Sequence, residues 1–143
     1  MRLSSPSFRH NEYIPKKYTC QGEDINPELV IDYTPDGTKS LALVVDDPDA
    51  PMGTWVHWVV FDIPVQNKIA ENSIPGKQGI NDFVKRDYGG PCPPSGIHRY
   101  FFKIYALDTE TGLSEGADKQ ELEEAIQGHV LDQAELIGLY KKN

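Results

Sequence analysis

Four short runs constrain what this chain can fold into: residues 28–33 (ELVIDY), 40–46 (SLALVVD), 54–62 (TWVHWVVFD) and 99–107 (RYFFKIYAL). Each is dense in Val, Ile or aromatic side chains and is bounded by Pro, Gly or Asp, the pattern of β-strands. With 11 Pro and 12 Gly in the chain, turns are plentiful and a helical bundle is disfavoured. Strands at irregular spacing with no helical pattern between them pair mostly antiparallel. A chain of 143 residues buries about two-thirds of its unfolded surface, enough for one core and too little for two full domains. Without a repeat period, residues 1–143 read as one mainly β domain.

Within 54–62 a strict period of two places Trp55, His57, Val59 and Phe61 on one face and Val56, Trp58 and Val60 on the other. Both faces are apolar, which predicts a central strand covered on each side. From Ile97 onward, His98, Tyr100, Phe102, Ile104 and Ala106 share a face predicted to be buried, with His98 and Tyr100 at its mouth. The tail changes period. Leu122, Ala125, Ile126, Val130, Ala134, Ile137 and Tyr140 recur at i, i+3 or i+4, and Asp118 with Glu121 forms a capping-box pattern. Gly128 interrupts that run, so two short C-terminal helices are predicted.

Charge narrows the function. Against 22 Asp and Glu stand 14 Lys and Arg, a formal net charge of −8, which argues against a nucleic-acid partner and against docking on anionic membranes. No apolar run approaches the length of a membrane span. The first residues lack the apolar stretch of a signal peptide, so a cytoplasmic protein is expected. Cys20 and Cys92 show no metal-type spacing. In a cytosol such thiols are most often reduced, and a single disulfide between them stays open.

Two segments carry the chemistry. Asp46-Asp47-Pro48-Asp49-Ala50-Pro51 sets three carboxylates directly after an apolar strand, in a backbone stiffened by two prolines. An isolated Asp-Pro marks a strand-ending turn, but three carboxylates at the mouth of an apolar strand need hydrogen-bond or charge partners if buried. Residues 88–96 (YGGPCPPSG) are too rich in Gly and Pro for helix or strand and lead into His98; such a stiff loop suits a pocket wall. His57 lies among Trp55, Val59 and Phe61, where a lone histidine is ordinarily a core residue satisfied by one hydrogen bond. His10 and His129 are assigned no role.

Taken together, Asp47-Pro48-Asp49-Ala50-Pro51, Trp55-Val56-His57-Trp58 and the stretch from Gly90 through His98-Arg99-Tyr100 resemble the phosphatidylethanolamine-binding protein family, in particular its bacterial and archaeal Raf-kinase-inhibitor-like branch. Supporting matches run nearly end to end, among them Ile74-Pro75-Gly76, Asn81-Asp82-Phe83 and Gly128-His129-Val130-Leu131. The resemblance implies a central antiparallel sheet with a second, smaller sheet and short C-terminal helices. It further implies a small anion pocket lined by Asp47, His57, Pro91, His98 and Tyr100, accepting phosphate or a phosphoethanolamine-type head group. Asp49 and Arg99 are read as scaffold.

The expectation is thus a non-enzymatic binding protein with no cofactor and no metal, a homodimer like its prokaryotic relatives, and a possible regulator or inhibitor of a kinase or protease. Imidazole and phenol groups suit an anion as hydrogen-bond donors, and binding is expected to strengthen as a pocket histidine gains a proton. The alternative is a metal-assisted or acid/base phosphoester hydrolase using Asp46, Asp47, Asp49, His57 and His98. It ranks lower because no nucleophile elbow, phosphate-binding glycine loop or His-Glu helix motif is present.

Overall fold

The computed structural model describes residues 1–142. Its strands are β1 (Arg2–Ser4), β2 (Glu12–Tyr13), β3 (Leu29–Asp32), β4 (Ser40–Asp47), β5 (Trp55–Ile63), β6 (Lys68–Ile69), β7 (Lys77–Gln78), β8 (Ile97–Leu107) and β9 (Val130–Lys141); a helix, α1 (Lys119–Ile126), precedes β9. A six-stranded sheet runs β2-β9-β8-β4-β5-β7 and a three-stranded sheet runs β1-β3-β6. Pairing is antiparallel throughout except for β2 beside β9. The mainly β architecture with a smaller second sheet is therefore as the sequence predicts.

Two apolar layers hold it together. Leu3, Leu29, Ile31 and Ile69 of the small sheet pack against Leu43, Val45, Trp58, Val60, Phe102 and Ile104 of the large one. On the opposite face, Leu122 and Ile126 of α1 cover Ala42, Val44, Val59 and Phe61. β4 is buried along its whole length between β5 and β8, so the central position belongs to it. β5, predicted to be central, is next to the edge. Its open side is closed by two-residue β7 and by the chain beyond it: Gly79 N–H donates to the Val59 carbonyl (2.8 Å) and Asp82 N–H to that of Val56 (2.9 Å).

The tail departs from expectation. The capping box is present, with the Asp118 carboxylate accepting from Glu121 N–H (2.8 Å), and the helix ends at Ile126. Gly128 then adopts φ +82°, a left-handed conformation that ends helices, but a twelve-residue strand takes the place of the expected second helix. β9 pairs with β8 from Ile97↔Lys141 to Leu107↔Val130. The apolar positions of the tail fit a period of two as well as one of 3.6, and Leu136, Gly138 and Tyr140 are the inward set. Eleven residues of β8 would otherwise present an unpaired edge, so ladder formation overrides the helical preference of Ala134, Glu135 and Leu136.

A bulge in β5 re-aims its histidine. In the β4–β5 ladder, Val45 faces Trp58 and Asp46 faces Val56, so two residues of β5 oppose a single step of β4. Beyond that point alternation shifts: Val56 packs with Val59 and Phe61 under α1, while Trp58 and Val60 lie in the core between the sheets. His57 accordingly leaves the face shared by Val59 and Phe61 and turns inward, against Tyr100.

Candidate functional site

Each of the three carboxylates has its own partner. Asp46, at the buried end of β4, points under α1 and pairs with Lys119 (2.9 Å) and Lys103 (3.2 Å). Asp47, one residue on, faces the opposite side of the sheet and accepts from His98 Nδ1 (2.6 Å) and from Asp49 N–H (2.8 Å). The Asp49 carboxylate receives the Arg99 guanidinium at both oxygens (2.8 and 2.9 Å) and the Arg99 N–H (3.0 Å). That guanidinium pulls the Asp49 carboxyl down to about 2, its hydrogen bonds outweighing partial burial. Together these bonds fasten the acidic loop to the start of β8.

Beside this loop lies a cavity of about 200 Å³ lined by Asp47, His57, His98 and Tyr100 together with Ala50, Pro51, Trp55, Phe83, Cys92, Pro93 and Pro94. Its polar groups are deeply set, with relative exposures of 3% for Asp47, 3% for His57, 7% for His98 and 1% for Tyr100. The rings form a connected wall: His57 meets Tyr100 edge-on at 5.2 Å, and His98 stacks on Tyr100 at 6.5 Å between centroids. Pro91, expected in the lining, is buried behind it. Its carbonyl accepts from Cys20 N–H (3.1 Å), and the next residues, Cys92, Pro93 and Pro94, form the wall in its place.

His57 Nδ1 lies 2.7 Å from the Gly89 carbonyl, which can only accept, so Nδ1 carries the hydrogen. Burial pushes the imidazole below its ordinary pKa, against the opposing pull of the Gly89 carbonyl and of Asp47, which favours the neutral ring. The Tyr100 O–H donates to no acceptor among the described residues, and the Cys92 amide approaches the phenol oxygen. Burial raises its pKa far above the phenol range, so the O–H is retained. An orphaned buried hydroxyl costs of order 1–3 kcal/mol unless something in the cavity satisfies it.

Phe83 falls in the matched Asn81-Asp82-Phe83 stretch, but no periodicity or pocket residue type marks it as lining. It packs edge-on against Trp55 (5.5 Å) and His57 (5.3 Å) from a loop with no periodic pattern. Asn81 places it: the buried amide donates to the carbonyls of His57 (3.1 Å) and Asp87 (2.8 Å), while its oxygen accepts from Phe83 N–H (3.0 Å) and Lys85 N–H (3.1 Å).

The proline-rich wall is anchored from behind. Cys20 and Cys92 form a disulfide, resolving what the sequence leaves open. Gly90 N–H donates to the Asp24 carboxylate (2.8 Å) and the Tyr88 hydroxyl to the Tyr18 carbonyl (2.8 Å). Gly90 has to be glycine, because a Cβ there would run into the Tyr18 carbonyl and that same carboxylate. No three His, Cys, Asp or Glu among the described residues converge as a metal site, and no helix among them is long and apolar enough to cross a membrane.

Comparison with known proteins agrees with this architecture. The sequence profile described as phosphatidylethanolamine-binding protein matches residues 4–141. A protein of Aquifex aeolicus named UPF0098 protein is 50% identical, the match covering 100% of this chain and 90% of the relative. One of the same name from Methanothermobacter thermautotrophicus is 49% identical, with 99% of each covered. Among solved structures, a phosphatidylethanolamine-binding protein homologue from Chlamydia trachomatis superposes with a TM-score of 0.96 at 42% identity, covering 99% of this chain and 97% of that one. Escherichia coli YbcL, titled a new member of the mammalian PEBP family, gives a TM-score of 0.91 at 28% identity over 99% and 98%. With a profile spanning nearly the whole chain and relatives this similar over nine-tenths or more of their length, the chain belongs to the phosphatidylethanolamine-binding protein family.

Proposed function

We propose that this chain is a non-enzymatic binding protein whose cavity takes a small oxyanion of the phosphate or phosphoethanolamine type. The observation that carries this reading is the Tyr100 O–H, buried in the cavity without a partner among the described residues and flanked by two histidine rings. A ligand oxygen satisfies it. Among the described lining residues the one hydroxyl is that of Tyr100 and the one cysteine is in a disulfide, so the cavity offers neither a serine or threonine hydroxyl nor a free thiol as nucleophile. Ser95, the nearest serine in sequence, is exposed in a turn. Binding energy in such a site holds a stable ligand and is not directed at a transition state.

Isothermal titration tests the reading. His57→Ala and His98→Ala are each expected to weaken phosphate or phosphoethanolamine binding about tenfold, the size of one hydrogen bond to a charged group, with the circular dichroism spectrum unchanged. Unaltered affinity in both variants defeats it. Turnover of a generic phosphoester, absent from the His98→Ala control, would favour the hydrolase alternative.

Assembly as a homodimer and regulation of a kinase or protease extend this proposal from the family resemblance. A cytoplasmic setting is also part of it, and the Cys20–Cys92 bond is its sharpest test, because disulfides persist chiefly in oxidising compartments and in the cytosol of hyperthermophiles.

A further inference from the structure

We propose that the Cys20–Cys92 disulfide is a thiol-exchange site, at which the thiolate of an outside dithiol attacks Cys20 and releases Cys92 in the wall between two cavities. This holds whatever the anion cavity binds.

The bond is open to attack. Buried disulfides resist reduction and exposed ones are the labile, regulatory kind; here Cys20 is exposed and Cys92 half-buried. A second cavity, of about 330 Å³, has both cysteines in its lining together with Asp24, Lys85, Asp87 and Tyr88. The chain has two cysteines and both are in this bond, so the attacking thiol has to come from outside. Cys92 is flanked by Pro91 and Pro93, both buried, whereas Cys20 stands at the surface. An entering thiolate therefore meets the Cys20 sulfur first, which makes Cys92 the leaving group.

The exchange balances with the dithiol as sole reductant. Its thiolate forms a sulfur–sulfur bond to Cys20 Sγ as the bond to Cys92 breaks, and Cys92 leaves with the electron pair as a thiolate. The second thiol, deprotonated in turn, attacks the dithiol's own sulfur in the mixed disulfide and expels the Cys20 thiolate. The dithiol ends as a disulfide, and the two protons it gave up are those that the two cysteines take on.

The junction outlasts the bond. Cys20 N–H donates to the Pro91 carbonyl (3.1 Å), Gly90 N–H to the Asp24 carboxylate (2.8 Å) and the Tyr88 hydroxyl to the Tyr18 carbonyl (2.8 Å). These bonds hold residues 18–24 against residues 88–92 with the disulfide open or closed, so the two sulfurs stay within reach and the bond re-forms in the folded chain. Cys92 and Phe83 line both cavities, so the oxidation state is presented at the wall of the anion cavity.

The charge of the second cavity selects the thiol. Among its described lining residues two carboxylates, Asp24 and Asp87, stand against the one ammonium of Lys85, in a chain of net charge −8. A thiol that carries an ammonium is drawn in and one that carries a carboxylate is repelled. The fitting partner is a dithiol set in a neutral or basic surface.

The test uses the oxidised full chain under native conditions at low salt, with cysteamine, mercaptoethanol and thioglycolate as probes. Each rate is divided by that thiol's rate with hydroxyethyl disulfide, which removes differences in nucleophilicity. Early samples are blocked with N-ethylmaleimide and mapped by mass spectrometry. The probe is expected on Cys20 and the maleimide on Cys92. Cysteamine is expected to outpace thioglycolate about fivefold, the effect of two unit charges acting across roughly 8 Å of water, and Asp87→Lys to reverse that order. A probe found mainly on Cys92, or on both cysteines alike, overturns the assignment of the attacked sulfur. Exchange that proceeds only as fast as global unfolding, read from its urea dependence, would show a purely structural bond and overturn the proposal. Equal normalised rates for the three thiols, or no response to Asp87→Lys, overturn the charge selection.

Discussion

At the scale of residues, the acidic loop shows how far local chemistry can be read from sequence. Three carboxylates after an apolar strand demand partners, and the structure supplies three different ones: two ammonium groups for Asp46, an imidazole for Asp47 and a guanidinium for Asp49. That Arg99 points away from the His98 face follows from strand alternation; that it meets Asp49 does not, because the loop's path is not periodic. The Asp49–Arg99 pair has a pH signature. The folded-state pKa of Asp49, about 2, lies below its ordinary value, so its contribution is fully present above the unfolded carboxylate range and is lost as pH falls from about 4 to about 2. Asp49→Asn is expected to lower the melting temperature by a few degrees at pH 7, since the pair is partly exposed, and to make almost no difference near pH 2. Thermal melts of both proteins across that range check it; a constant difference would show that the ion pair is not the cause.

At the scale of elements, two features escaped the sequence for opposite reasons. The tail reads as helix because its apolar residues satisfy two periods at once, and only the presence of β8 as a partner selects the strand. The bulge at His57 leaves no trace in composition, yet it decides whether that ring faces α1 or the cavity. By contrast the start of α1 was fully legible, since a capping box is a local device whose partners lie three residues apart. Asp118→Ala is expected to cost about 1 kcal/mol in urea unfolding, with an unchanged m-value, because one capping interaction is lost without altering the surface exposed. A cost near zero would mean that Leu122 and Ile126 packing alone holds the helix in place.

At the scale of the whole molecule, the wall of the cavity is tied to the N-terminal part of the chain. The disulfide joins positions 72 residues apart, and constraining a loop of that length stabilises the fold by about 4 kcal/mol on the chain-entropy model. Addition of a dithiol reductant is therefore expected to lower the melting temperature by roughly 10 °C. Cys20→Ser/Cys92→Ser should behave like the reduced protein and be insensitive to reductant. An unchanged melting temperature in the wild type would show that the bond does not form in solution. The hydrogen bonds from Gly90 and Cys20 across the same junction are expected to keep the wall in place when the disulfide opens, so the stability loss should exceed any loss of phosphate affinity.

The sequence by itself determined the runs that become β3, β4, β5 and β8, that His98 and Tyr100 stand at the mouth of one buried face, and where α1 begins, because these depend on alternation and on contacts within a few residues. Tertiary structure alone decided the rest. It converted the tail from helix to strand by offering it an unpaired edge, turned His57 inward through a bulge in the β4–β5 ladder, and exchanged Pro91 for Cys92, Pro93 and Pro94 in the lining. It also brought in Phe83, held by Asn81 from a loop that carries no period. The physical reason is the same in each case: a cavity is bounded by residues distant in sequence, and which side chain reaches it depends on strand register and loop path, which are fixed only when the sheets pack.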